Sequence, residues 1–130
     1  MIKHLVINGG GPTGLLCYGA IKHLFEANFI QLDNIKSIYG TSAGAIIATI
    51  ISLKYDWKTL DDYFLKRPWN KVFKIEPDIF VDMYYNKGMF QVSMVKEMLK
   101  PLLTAKDLTE EITLKEYYEY NNIDLHFFTV

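Results

Sequence analysis

Apolar and polar residues change rhythm along the chain in an order that repeats. His4 to Asn8 holds Leu5, Val6 and Ile7 in succession, Gly9 to Gly14 interrupts with four glycines and a proline, and Leu15 to Asn28 then places apolar residues at helical spacing. Asp33 and Asn34 mark a turn, Ile35 to Tyr39 is a second short apolar run, and Gly40 to Gly44 leads into Ala43 to Leu53, apolar on every side. The unit strand, glycine loop, helix therefore occurs twice. A helix that is apolar all round needs cover on every side, and short apolar strands that each feed a helix build a parallel sheet with helices on both faces. The pattern predicts an α/β domain.

From Asp56 the character changes. Trp57 to Leu65 reads as an amphipathic helix, Pro68 and Pro77 punctuate a loop-rich stretch, and Ser93 to Leu99 reads as helix up to Pro101. Residues 56–105 are expected to be a cap or insertion within one domain spanning 1–130. Thr113 and Glu116 have capping-box spacing before Tyr117 and Tyr118, Asn121 and Asn122 can stop that helix, and Leu125 to Val130 reads as a third strand. A terminal apolar strand of a parallel sheet usually leads onward, so the expectation is a truncated domain, with unpaired sheet edges that open a route to self-association.

Composition narrows the function classes. The 130 residues are half apolar, enough for one domain with a real core, and 14 Lys plus Arg against 15 Asp plus Glu leave a net charge of −1. That balance gives no basic face for a nucleic acid. Cys17 is the single cysteine, so no internal disulfide forms; in phase with Ile21, Leu24 and Phe25, it reads as a small buried hydrophobe. No signal-peptide pattern opens the chain, and the stretch from Ala43 to Leu53 falls short of the roughly 20 residues that span a bilayer, so the expected location is cytoplasmic or peripheral at membranes. The histidines are not spaced for a metal site, and no metal is expected.

Two loops carry candidate chemistry. Gly40-Thr41-Ser42-Ala43-Gly44 fits G-x-S-x-G, the sharp strand-to-helix turn that lifts a serine hydroxyl above the carboxyl edge of a sheet, at the positive end of the following helix. A serine here could also simply cap the helix, but a plain cap needs neither flanking glycine. Gly9-x-Gly11-x-x-Gly14 matches the dinucleotide fingerprint as well, and GGGPTG could then cradle a phosphate in a non-catalytic or nucleotide-binding α/β module. That alternative wants an acidic residue at the carboxyl end of the second strand, whereas the nearest, Asp33, precedes it. The other use of the glycines is a row of backbone N–H groups converging on the oxyanion of a tetrahedral intermediate beside Ser42.

NGGGPTG followed by GTSAG, with the helix GLLCYGAIKHLFEAN between them, resembles the patatin-like phospholipases, well over residues 3–54 and weakly beyond. The resemblance implies a three-layer α/β fold and a lipid acyl hydrolase, of phospholipase A or lipase type, working through a Ser-Asp dyad and an acyl-enzyme. It assigns Ser42 as nucleophile, Gly9, Gly10 and Gly11 as oxyanion loop, and Gly40, Thr41, Ala43 and Gly44 as the elbow around the serine. It implies no metal or organic cofactor, and a lipid or membrane surface as substrate. The chain departs from the family pattern at two points. Thr13 stands where the family commonly has Arg or Lys, and the only arginine, Arg67, is far along the sequence. The family's catalytic aspartate belongs to an Asp-Gly pair, and no aspartate in this chain is followed by glycine, so the base is expected beyond it and the chain alone is expected to be inactive. His126, the sole histidine after Ser42, lies in an apolar strand and reads as structural. Large soft side chains such as Trp57, Phe73, Phe80, Tyr84, Phe90 and Met98 read as core beneath a cap rather than an acyl groove, and KRPWNKVFK, residues 66–74, as a solvated loop rather than an interfacial one.

Overall fold

The structure is a computed structural model, and it describes residues 1–69 and 92–128. Backbone contacts divide the chain into two compact units, residues 1–57 with 111–130 and residues 58–110. In the first unit, β1 (His4–Ile7), β2 (Ser37–Thr41) and β3 (Asp124–Phe128) form a parallel sheet in the order β1-β2-β3. His4 lies opposite Ser37 and Ile7 opposite Gly40, while Ser37 pairs with Asp124 and Thr41 with Phe128. Parallel neighbours need a crossover, and α1 (Gly14–Glu26) supplies the one from β1 to β2.

The second crossover helix, α2 (Ala43–Ser52), packs mainly on β2 and also reaches β1, β3 and α1. Its all-apolar composition is thereby accounted for: Ile47, Ala48, Ile50 and Ile51 are buried, facing a sheet whose Ile7, Ile38 and Leu125 are buried too. Ile38, on the central strand, has no exposed surface. Strand alternation sends Val6, Tyr39, His126 and Phe128 to the other face. There Tyr39 stacks on His126, ring centroids 4.5 Å apart and planes within 8°, while Val6 and Phe128 remain exposed.

α5 (Leu114–Asn121) fastens the far end of α2. Its start is the capping box that the spacing predicts: Glu116 N–H donates to Thr113 Oγ1 at 3.3 Å, and Thr113 N–H donates to the Glu116 carboxylate at 2.8 Å. Its end is Asn122, left-handed at φ 57. Ser52 Oγ, Tyr117 Oη and the Thr49 carbonyl lie 2.8 to 3.0 Å from one another, a triangle held by two hydroxyl protons. Burial pushes the Tyr117 phenol up to about 12, so it stays neutral and keeps its proton for this bond. Asn121 donates to the Ser52 carbonyl and accepts from Ile123 N–H, leaving this buried polar cluster satisfied.

α3 (Trp57–Lys66) begins at the edge of the first unit and continues in the second, where α4 spans Val92–Thr104. Proline 101 was expected to end that helix, and instead α4 runs through it. A proline inside a helix offers no N–H to the carbonyl four residues back, here that of Glu97. Arg67 Nη2 donates to that carbonyl at 2.7 Å, and Tyr63 Oη donates to the carbonyl of Met98. Arg67 is itself held over the Tyr63 and Trp69 rings, 5.2 and 5.0 Å from their centroids. The expected segment KRPWNKVFK is described only as far as Trp69, and Phe73, Pro77, Phe80, Met83, Tyr84, Tyr85, Met89 and Phe90 lie outside the described residues. Arg67→Ala is expected to destabilise the protein by about 0.5–1.5 kcal/mol, the net worth of a solvent-accessible hydrogen bond together with the lost stacking on Tyr63 and Trp69. The loss should shrink in a Pro101→Ala background, where the amide at position 101 serves Glu97, and urea denaturation of the four-member cycle checks the coupling.

Candidate active site

Ser42 stands alone between β2 and α2, with φ 52 and ψ −129. A side chain at positive φ is strained by roughly 1–3 kcal/mol and persists only where its surroundings over-determine it. Those surroundings are backbone. A Cβ on Gly40 would come within 2.7 Å of Ala45 Cα and 2.8 Å of the Gly44 carbonyl, so the turn closes only with glycine there. A Cβ on Gly44 would strike the Ile7 carbonyl and come within 2.6 Å of the Asn8 carbonyl, which sets the start of α2 directly against the end of β1. Ser42 makes no side-chain capping bond and is exposed, with the amino end of α2 behind it. Thr41 is tied sideways, its hydroxyl donating to the Phe128 carbonyl at 3.0 Å.

The glycine loop arrives at the same place. A Cβ on Gly9 would stand 3.0 Å from Ser42 Cβ and 3.7 Å from Ser42 Oγ, and one on Gly14 would stand 2.9 Å from Ala43 Cβ. Gly10 caps a short 3₁₀ turn, Gly11–Thr13, that runs straight into α1. Thr13 and Gly14 are the first residues whose amides turn back, to the carbonyls of Gly10 and Gly11. The amides of Gly10 and Gly11 precede that first bonded turn, where helix geometry supplies no partner. Parallel pairing of β1 and β2 thus brings Gly9 to Gly11 and Gly40 to Gly44 to one carboxyl edge, around one serine.

Other titratable groups are engaged elsewhere. Asp33 lies in a 3₁₀ turn before β2 and pairs with Lys54 at 3.2 Å, away from the carboxyl end of that strand where a ribose-binding acid belongs. His126 Nε2 is 3.0 Å from Asp124 Oδ2, and His4 Nδ1 is 2.7 Å from Ser37 Oγ, both on the sheet rather than at Ser42. Asp62 pairs with Lys58 and Lys66, and its hydrogen bond to Lys66 holds its carboxyl below the usual range. A cavity of about 1020 Å³ opens near His4, Ser37, Asp124 and His126, and it includes none of the expected site residues. It is an open groove in which Asp33 pairs with Lys54 and Asp124 with His126, whereas the positive-φ serine and the close approach of the two glycine loops are at Ser42. Among the described residues no group of three or more His, Cys, Asp or Glu is placed to hold a metal ion. No helix among them is long and apolar enough to cross a membrane.

The family model described as "Patatin-like phospholipase" matches residues 5–128. The chain belongs to the patatin-like phospholipase family. It is 26% identical over 115 residues to the uncharacterized protein R571 of Acanthamoeba polyphaga mimivirus, covering 88% of this chain and 38% of that protein. It is 26% identical over 117 residues to the probable lipid hydrolase 463L of Invertebrate iridescent virus 6, covering 90% and 39%. To the uncharacterized protein YqhO of Bacillus subtilis (strain 168) it is 28% identical over 110 residues, covering 79% and 36%. This patatin-like chain therefore spans about two fifths of the length of these relatives. No solved structure matches it.

Two residues in the patatin-like loop make bonds that the sequence reading did not anticipate. Asn8 Nδ2 donates to the Gly9 carbonyl at 2.9 Å while its Oδ1 lies 3.5 Å from Cys17 Sγ, so Cys17 is half-buried and weakly bonded rather than a plain core residue. Thr13 Oγ1 donates to the Gly10 carbonyl at 2.7 Å. The signal was present as Asn directly before, and Thr three residues after, a glycine carbonyl. Gly44→Ala is expected to cost about 1–3 kcal/mol, as overpacking against immovable backbone does, and thermal unfolding measures it.

Proposed function

We propose that the chain contributes the nucleophile and the oxyanion loop of a lipid acyl hydrolase. Ser42 Oγ attacks the carbonyl carbon of a lipid ester, its proton passing to the carboxylate of an Asp-Gly pair outside these 130 residues. The carbonyl oxygen takes the electron pair and is stabilised by amides of Gly9 to Gly11, with the start of α2 adding a positive dipole. The C–O bond to the leaving alcohol then breaks, the alcohol takes up the proton, and water releases the fatty acid from the acyl-serine by the same route in reverse order.

The observation that carries this reading is the contact between the two loops, with Gly9 against Ser42 Cβ and Oγ and the serine held at φ 52. Family membership, and likeness to the probable lipid hydrolase of the iridescent virus, support a lipid as the substrate class. Residues 56–105 are read as a cap or insertion in the domain. No metal or organic cofactor has a part in the scheme. A fluorophosphonate is expected to label the full-length protein covalently, with the label lost in Ser42→Ala; equal labelling of both removes Ser42 as the nucleophile.

A further inference from the structure

The peptide between Gly10 and Gly11 joins two residues without side chains. Its orientation is set by Gly10 ψ, 13°, and Gly11 φ, +53°, torsions that glycine changes at little cost. A Cβ on Gly11 would meet nothing within 4 Å, and the nearest atom to one on Gly10 would be Thr13 Oγ1, at 2.6 Å. What holds the peptide is Thr13. Both the Thr13 hydroxyl, at 2.7 Å, and the Thr13 N–H, at 3.0 Å, donate to the Gly10 carbonyl oxygen. In a planar trans peptide the C=O and the N–H point in opposite directions, so pinning the Gly10 oxygen sets where the Gly11 N–H aims.

We propose that Thr13 is a positioning residue for catalysis, whose hydroxyl locks the Gly10–Gly11 peptide so that the Gly11 amide is presented to the developing oxyanion. This rests on the reading of Ser42 as nucleophile. Without the hydroxyl the carbonyl keeps one donor in place of two, the peptide samples flipped orientations, and part of the population loses that amide from the hole. The effect falls on transition-state charge and not on ground-state binding, because the amide is needed where the oxygen becomes negative.

The test uses three full-length proteins: wild type, the isosteric Thr13→Val, and Thr13→Ser, which keeps the hydroxyl. Thr13→Val is expected to slow fluorophosphonate labelling of Ser42 and to lower kcat on a soluble short-chain ester by about tenfold with KM unchanged, below the 10²–10³ for removing an oxyanion donor outright. Thr13→Ser should recover most of both. Thr13 is exposed, so all three should melt together. A second readout needs no chemistry: the ¹⁵N order parameter of the Gly11 amide should fall in Thr13→Val and return in Thr13→Ser. An unchanged Gly11 order parameter, or equal labelling of Thr13→Val and wild type, overturns the role of Thr13. Unlabelled wild type with the expected change in order shows the clamp to be real and the nucleophile reading wrong, and it removes the catalytic role with it.

Discussion

The close approach of the first turn of α2 to the last carbonyls of β1 is the constraint from which the site follows. Gly44 can lie against the Ile7 and Asn8 carbonyls because it has no Cβ, and that approach puts the residue just before α2 beside the loop just after β1. Parallel pairing of β1 with β2 brings the two turns to the same edge, and the glycine at 44 closes the last few ångströms. The strain at Ser42 follows, since a chain that must leave β2 and enter a helix seated this tightly has few torsions left for the residue between them.

The rest of the first unit serves to keep α2 where it is. Its apolar body presses on the central strand, and its far end is bonded through Ser52, Thr49, Tyr117 and Asn121 to α5, which is fixed in turn by its own capping box. A helix anchored at both ends can hold a serine in an unfavourable conformation at its tip. The site itself is built from neutral parts. From Asn8 to Ile21 there is no ionisable side chain other than Cys17 and Tyr18, and the one arginine serves the carbonyl that Pro101 leaves open in α4. In the proposed reaction, negative charge formed beside Ser42 is met by backbone dipoles, which makes the aim of each peptide matter.

Much of this was legible in the sequence because it rests on short-range patterns. Two strand, loop and helix units, the capping box at Thr113 and Glu116, and the pairing of NGGGPTG with GTSAG all lie within windows where local geometry decides the outcome. What was not legible depends on partners distant in the chain. Pro101 read as a stop because the donor that satisfies Glu97 sits thirty residues earlier, at Arg67. The alternation in β1 that leaves Val6 exposed was hidden because Leu5, Val6 and Ile7 look alike to a hydropathy pattern. Thr13 registered as the lack of a cation, since a hydroxyl turned onto a nearby carbonyl has no signature beyond its spacing.

The central claim is that the amides of the glycine loop and the Ser42 hydroxyl address one small volume. The most direct measurement is a crystal structure of the full-length protein phosphonylated at Ser42, in which a phosphoryl oxygen stands for the oxyanion. The account predicts that oxygen within about 2.7–3.1 Å of at least one loop amide, at Gly10 or Gly11. A phosphoryl oxygen turned to solvent, or bonded only to groups outside residues 9–11 while the loop amides point elsewhere, would contradict it.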